Sequence, residues 1–236
     1  MKQKSYIPDL YEFLEQLGRR QDREWFRANR GRYDELRSLW LNDLDRLIAL
    51  IGEWWPVVKG MTARSAAYRI YRDTRFSPDK SPFKSYFSAG FSRYGRSASS
   101  AHLPGLYLQM GPGRFAESVD SGLFGGVWQP SSADLRKLRR AIVDNIEEFE
   151  EIIAALESSS KYHGWLGERL KTIPKGYDRN HPQAELLRLK EYGRFMPADM
   201  DYFNDTAWPE KVADDFRPLR PMLDFFTYSL EEELFD

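Results

Sequence analysis

Hydrophobic positions at the start of the chain recur at helical spacing. From Pro8 onward, leucine and phenylalanine repeat every three and four residues, as on one face of an α-helix. Gly18 is typical of a helix end and Asp22 of a new N-cap. A broad apolar stripe then continues to Ile51. The pattern predicts two helices within residues 8–55.

The middle of the chain has a different pattern. Short segments rich in tyrosine, phenylalanine, isoleucine and leucine are separated by proline, glycine and serine clusters, which is typical of strands joined by turns. The intervals are too short for crossover helices, so we expect antiparallel pairing. The predicted strands are residues 66–72, 86–92, 106–110 and 115–119, with a mobile connection at 96–105 and turns at 111–113 and 122–126.

Helical spacing returns after Pro130. Ser131 or Ser132 is suited to cap one helix, and Asp144 or Asn145 to begin another. A short helix is expected around residues 186–189. From about Asp205 onward the pattern predicts one or two more helices, interrupted by Pro218 and Pro221.

Together these patterns predict an α+β fold, in which a mostly antiparallel sheet from the central third packs against helices from both ends. No internal repeat is visible, which argues against a solenoid. We expect one domain over residues 1–236, with helical segments at 8–55 and 131–236 and a sheet-forming segment at 64–128.

Composition is consistent with a globular chain and narrows its chemistry. The 236 residues are 42% hydrophobic and include no cysteine. The hydrophobic content suffices for a core, and the missing cysteines exclude disulfides, thiolate nucleophiles and cysteine-bound zinc. The first eight residues lack an apolar signal region, and no run of about 18 apolar residues occurs. The sequence therefore predicts a cytoplasmic protein without a membrane partner.

Charge is unevenly distributed although the formal net charge is only −1. Residues 64–96 hold eight Lys or Arg against two Asp, a local charge of +6, whereas residues 198–236 carry about −8. Arginine offers a planar fork of donors that fits two oxygens of a phosphate or carboxylate. We therefore predict an anion-binding cluster in the basic segment, formed by Arg69, Arg75, Lys80 and Lys84.

Strand geometry limits which of these side chains can converge. In a regular strand Arg69, Tyr71 and Asp73 share one face, while the residues between them share the other. The turn at residues 77–80 is expected to fold Arg75, Lys80 and Lys84 back over the strand end. Asp73 is a weak candidate for a catalytic base or for orienting an arginine.

Other catalytic or cofactor motifs give little signal. His102, His163 and His181 lack metal-ligand spacing, and the paired aspartates near residues 199 and 214 are typical of solvated helix ends, so no metal is expected. His181 is a weak candidate acid or base, with loop fixation as the alternative. The glycines at 111–113 resemble a dinucleotide-binding turn, but Pro112 removes a donor and no helix follows, so no cofactor is predicted.

Several motifs resemble one bacterial family of uncharacterised proteins, domain of unknown function 2461. The resemblance covers about residues 10–225 and implies a free-standing α+β domain without an established activity. Phe83 departs from the tyrosine that the family usually shows, and the serine-rich 96–105 segment also departs from it. The matching segments are Asp22 to Phe26 with Asn29 and Tyr33; Arg69 to Ser77 with Lys80, Pro82, Phe83 and Lys84; residues 122–130; residues 135–142; and residues 170–177 with His181 and Pro182.

Three functions remain open from the sequence. The first is binding, with or without turnover, of a small anionic and phosphorylated ligand by the basic cluster. The second is a structural or protein-interaction module, in which the arginines pair with the acidic C-terminal helices or line a solvated face. The third is association with nucleic acid along a basic track. Whether the protein is an enzyme, and its oligomeric state, do not follow from the sequence.

Overall fold

The computed structural model describes residues 5–75, 79–93, 102–112 and 121–231. This part of the chain contains a four-stranded antiparallel sheet in the order β1-β2-β3-β4. Helices precede and follow the first three strands, so the predicted α+β class is confirmed. The strands are β1 Phe87–Phe91, β2 Gly105–Met110, β3 Gly122–Val127 and β4 Tyr192–Pro197.

The helices come from both ends of the chain, as expected. Short 3-10 turns at Pro56–Val58 and Arg217–Leu219 extend or join them. The helices are α1 Ile7–Arg20, α2 Arg23–Ala28, α3 Arg30–Trp54, α4 Ala63–Ala66, α5 Ser132–Asp144, α6 Ile146–Ser159, α7 Ala184–Leu187, α8 Met200–Phe203, α9 Trp208–Phe216 and α10 Arg220–Glu231. Within the described ranges, none of them combines the length and apolar character needed to cross a bilayer.

Helix starts follow the capping rules. Asp22 accepts hydrogen bonds from the backbone N–H groups of Glu24 and Trp25, and Ser131 caps α5 by accepting from Asp134. The predicted single helix after Asp22 is wrong, because the chain breaks at Asn29 into α2 and α3. The side-chain amide of Asn29 donates to the carbonyl of Trp25 at 2.9 Å, and such local bonds compete with helix continuation.

One face of the sheet, here called the inner face, packs against the helices. Phe87 of β1 lies 5.1 Å from the ring of Trp40 in α3, and Phe91 lies 6.2 Å from Phe216 in α9. A Cβ atom added to Gly125 would lie 2.5 Å from Leu219. This close approach of helix to sheet forms the main core.

The opposite face, here called the outer face, combines polar, glycine and aromatic positions. Register places Ser88 beside Gln109, and Gly90 beside Tyr107. Tyr107 in turn pairs with Phe124, and Phe124 with Phe195. Because side chains alternate along a strand, these residues share the face away from Trp40.

Glycines on the outer face lie under aromatic rings. A Cβ on Gly122 would meet the ring of Phe195 at 2.7 Å, and one on Gly193 would overlap the ring of Phe124. The prediction of turns at 122–126 is therefore wrong, since those glycines form β3. Gly122 allows the ring of Phe195 to approach closely, whereas Gly125 faces Leu219 and Gly126 faces the backbone of Tyr192.

Two other strand predictions need correction. Residues 66–72 are not a regular strand: α4 occupies 63–66, and only isolated bridges join Ala67 to Ala89 and Tyr71 to Phe83. Strand β4 lies in a segment predicted to be helical, because its burial on both faces removes the alternating pattern. The predicted strand at 115–119 and most of the 96–105 connection lie outside the described residues.

Candidate functional site

A narrow hairpin carries the basic segment alongside β1. The N–H of Arg72 donates to the carbonyl of Pro82 at 3.0 Å, and the N–H of Lys84 donates to that of Ile70 at 2.8 Å. Tyr68 joins the hairpin to β1, because its N–H donates to the carbonyl of Ser88. The hairpin thus fixes the backbone on both sides of Lys84.

Burial along this hairpin follows the expected alternation. Arg69, Tyr71 and Asp73 are exposed, whereas Ile70 is buried and its neighbour Tyr68 is half-buried. The predicted separation of the two sets of side chains is therefore present. It places Arg69 on a different side of the hairpin from Tyr68.

Lys84 lies against two aromatic rings at the end of the sheet. Its ammonium nitrogen is 5.2 Å from the ring centroid of Tyr68 and 5.6 Å from that of Tyr86. Tyr68 also lies on Gly90, where an added Cβ would meet the phenol oxygen at 3.2 Å. Cation-π attraction therefore holds a positive charge beside phenol groups on the outer face.

Arg72 adds a second cation to this end of the sheet. Its guanidinium pairs with Asp79 at 2.7 Å, and both side chains are half-buried. The buried Nε of Arg72 and the buried hydroxyl of Ser85 have no hydrogen-bond partner in the described part of the chain. Burial raises the pKa of the Tyr86 phenol, and the charge of Arg72 partly opposes that rise.

A polar network continues from this point across the outer face. The phenol of Tyr107 donates to the Oε1 atom of Gln109 at 2.9 Å, and its ring lies 6.0 Å from that of Tyr68. Ser88 and Gln109 are each only 2% exposed. Burial raises the pKa of Tyr107, so this phenol stays protonated and remains a hydrogen-bond donor at neutral pH. We call Tyr68, Lys84, Tyr86, Ser88, Tyr107 and Gln109 the outer-face cluster.

The four predicted anion ligands have different surroundings. Lys84 belongs to the outer-face cluster, but the ammonium of Lys80 donates to the carbonyl of Thr74 at 2.8 Å. Arg75 makes two bonds to Asp73, at 2.7 and 3.0 Å, on the exposed side of the loop. Arg69 is exposed, and its positive charge contributes to lowering the pKa of Asp73. The expected fold-back at residues 77–80 lies partly outside the described ranges.

The two weak catalytic candidates have structural partners. The guanidinium of Arg75 lowers the pKa of Asp73 to about 2, which makes this carboxylate a poor base. The Nδ1 atom of His181 accepts from the N–H of Gln183 at 3.0 Å, as in the loop-fixing alternative. In the residues that are described, no group of three or more metal-ligating side chains is placed to hold an ion.

Arginines of the basic segment pair mainly with nearby acids. Arg72 and Arg75 bond to Asp79 and Asp73, two to seven residues away, while Arg93 reaches Glu231 of α10 at 2.7 Å. The alternative in which these arginines pair across the fold with the acidic C-terminal helices thus holds for Arg93.

Sequence reasoning missed most of the outer-face cluster. It selected cations by charge, and the uncharged members Ser88, Tyr107 and Gln109 gave no such signal. Alternation within Leu-Tyr-Leu-Gln-Met at 106–110 does place Tyr107 and Gln109 on one face. What the pattern could not give is the register that brings them beside β1 and Tyr68.

Motifs far apart in the sequence meet around this hairpin. The ring of Phe26, in α2, stacks on that of Phe83 at 4.5 Å and lies 5.8 Å from that of Tyr71. The family model described as "Conserved hypothetical protein (DUF2461)" matches residues 9–225. The chain belongs to this family. No curated protein and no solved structure matches it. In this DUF2461 chain, two of the segments that resemble the family pack against each other through Phe26 and Phe83, and Phe83 is 1% exposed.

Proposed function

We propose that this protein binds a small anionic, phosphorylated ligand at the outer-face cluster, with Lys84 as the main cation. The observation that carries the proposal is the position of the Lys84 ammonium within 6 Å of the ring centroids of both Tyr68 and Tyr86, at 5.2 and 5.6 Å. This arrangement revises the residue set expected from sequence, since Arg75 and Lys80 bond within their own loop.

The chemistry of the cluster fits a phosphate group. Lysine is a common phosphate ligand, and the phenol of Tyr86, whose pKa is raised by burial, is a protonated hydrogen-bond donor beside it. Partial burial strengthens such charge-assisted bonds compared with those at an open surface. The charge of Arg72 reaches Tyr86 and partly opposes the rise of its pKa, although the carboxylate of Asp79 pairs with the same guanidinium. The proposal includes the cytoplasmic location expected from the cysteine-free sequence.

Titration calorimetry with inorganic pyrophosphate tests the proposal directly. We expect Lys84→Met, which keeps the apolar stem but removes the charge, to weaken binding at least tenfold. Lys190→Met is the matched control, because Lys190 is an ion-paired surface lysine that bonds Glu168 at 2.6 Å. Folding of each variant is checked by circular dichroism, and unchanged binding in a folded Lys84→Met protein would refute the site.

The same titrations address the two remaining functions. An oligonucleotide that binds far more tightly than pyrophosphate, with affinity that falls steeply with salt, would instead support a nucleic-acid-associated protein. Absence of binding to any anion would support the interaction module.

A further inference from the structure

Aromatic rings extend across the outer face, starting from the cation. Tyr68 contacts Lys84 on one side, and its ring lies 6.0 Å from that of Tyr107 on the other. Register continues the row from Tyr107 to Phe124 and then Phe195. Tyr68, Tyr107 and Phe195 are half-buried, so their rings retain accessible surface. A ligand held at Lys84 therefore has an aromatic platform directly beside it.

Polar side chains interrupt this platform at one place. Ser88 and Gln109 are neighbours across β1 and β2, and Gln109 accepts from the phenol of Tyr107. Both side chains are only 2% exposed, so they lie beneath the aromatic row rather than at its surface. Buried polar groups are normally hydrogen-bonded, and here the carboxamide of Gln109 accepts from the phenol of Tyr107. The ring of Tyr107 is thus fixed in its orientation next to Tyr68.

We infer that the phosphorylated ligand is a nucleotide, whose phosphate lies at Lys84 and whose base stacks on Tyr107. This inference rests on the proposed function and specifies its ligand class. A planar base gains more dispersion and stacking energy on a row of aromatic rings than an aliphatic group does.

Four probes separate the contributions of phosphate and base on the wild-type protein: inorganic phosphate, ribose 5-phosphate, adenosine monophosphate and uridine monophosphate. We expect at least one of the two nucleotides to bind tenfold or more tightly than ribose 5-phosphate, as base stacking on an aromatic residue typically provides. Both nucleotides binding no more tightly than ribose 5-phosphate would overturn the inference. If no probe bound at all, the proposed function itself would fail, so the two failures are distinguishable.

Substitution of Tyr107 tests whether the base stacks on the ring of this residue. Tyr107→Leu is expected to lower the affinity for the nucleotide at least tenfold more than the affinity for inorganic phosphate, which removes the nucleotide preference. Tyr107→Phe retains the ring and should retain most of the preference. Should Tyr107→Leu fail to fold, the wild-type comparison still decides the ligand class. A folded Tyr107→Leu protein with the full nucleotide preference would contradict the assignment.

Discussion

The side chain of Gln21 forms a two-way hydrogen bond with the backbone of Phe83. Its amide nitrogen donates to the Phe83 carbonyl at 3.2 Å, and its amide oxygen accepts from the Phe83 N–H at 3.1 Å. Gln21 has φ of 48°, a left-handed conformation that ends α1. The end of one helix thus serves as a pairing partner for the hairpin that carries Lys84.

Removing this link should destabilise the protein and loosen the site. Gln21→Leu leaves two backbone groups of Phe83 without their partner, so we expect the free energy of unfolding to fall by about 1–3 kcal/mol. Urea denaturation measures the change. Gln16→Leu is the control, because Gln16 bonds only Glu12 on the helix surface and should change stability by less than about 0.5 kcal/mol. Equal effects of both substitutions would contradict the role of Gln21.

Contact between Gly193 and Phe124 gives a second prediction. Gly193→Ala places a methyl group where the Phe124 ring lies, so we expect about 1–3 kcal/mol of destabilisation from overpacking. Gly31→Ala, in a helix and with nothing within 4 Å of the added Cβ, should be neutral or stabilising by up to about 1 kcal/mol. Thermal unfolding compares the stability of the two variants. An unchanged stability of Gly193→Ala would mean that the fold does not require the ring of Phe124 to lie over residue 193.

The buried guanidinium of Arg194, on the inner face, gives a third prediction. Arg194 is 1% exposed, bonds Glu157 at 2.6 Å and lies 4.0 Å from the ring centroid of Trp165. Glu157→Gln removes its counter-charge, and we expect a loss of about 1–3 kcal/mol in urea denaturation. Glu168→Gln, which removes the partner of exposed Lys190, should cost under about 1 kcal/mol. An equal loss in both variants would argue that the burial of Arg194 gives its ion pair no special importance.

Asp43 links three helical segments, and its surroundings predict that the stability of the protein depends on pH. Its Oδ2 atom accepts from the phenol of Tyr6 and the indole of Trp208, both at 2.9 Å. Burial raises the pKa of Asp43 above its ordinary value of 3.8, and the two hydrogen bonds only partly oppose this rise. The folded state therefore binds the proton more tightly than the unfolded state.

Protonated Asp43 therefore contributes to the free energy of unfolding. This contribution is fully present below pH 3.8 and is lost as pH rises through the folded-state pKa of Asp43. Asp43→Asn lacks this titration but keeps an oxygen acceptor. We expect the stability of wild type relative to Asp43→Asn to be greater at pH 4 than at pH 7, as measured by urea denaturation at both values. A difference that grows with pH would show that the hydrogen bonds outweigh burial.

How far the sequence predicts the fold depends on local signals. The caps at Asp22 and Ser131 were predictable because their chemistry is local. Strand β3 was not predictable, because in the sequence alone its glycines indicate a turn. Only the structure shows that the ring of Phe195 lies over Gly122. The same limit applies to the site, where charge identified Lys84 but only strand register places Tyr107 beside Tyr68.

Tyrosine-selective NMR tests the central claim most directly, because it locates the bound anion. Ring signals of Tyr68 and Tyr86, assigned with single Tyr→Phe variants, are followed during a pyrophosphate titration at constant ionic strength. Tyr228 is the internal reference, since it is 71% exposed on α10. Binding at Lys84 predicts that the Tyr68 and Tyr86 signals shift with saturation while the Tyr228 signal stays in place. Unchanged Tyr68 and Tyr86 signals at concentrations that saturate the protein would contradict the site.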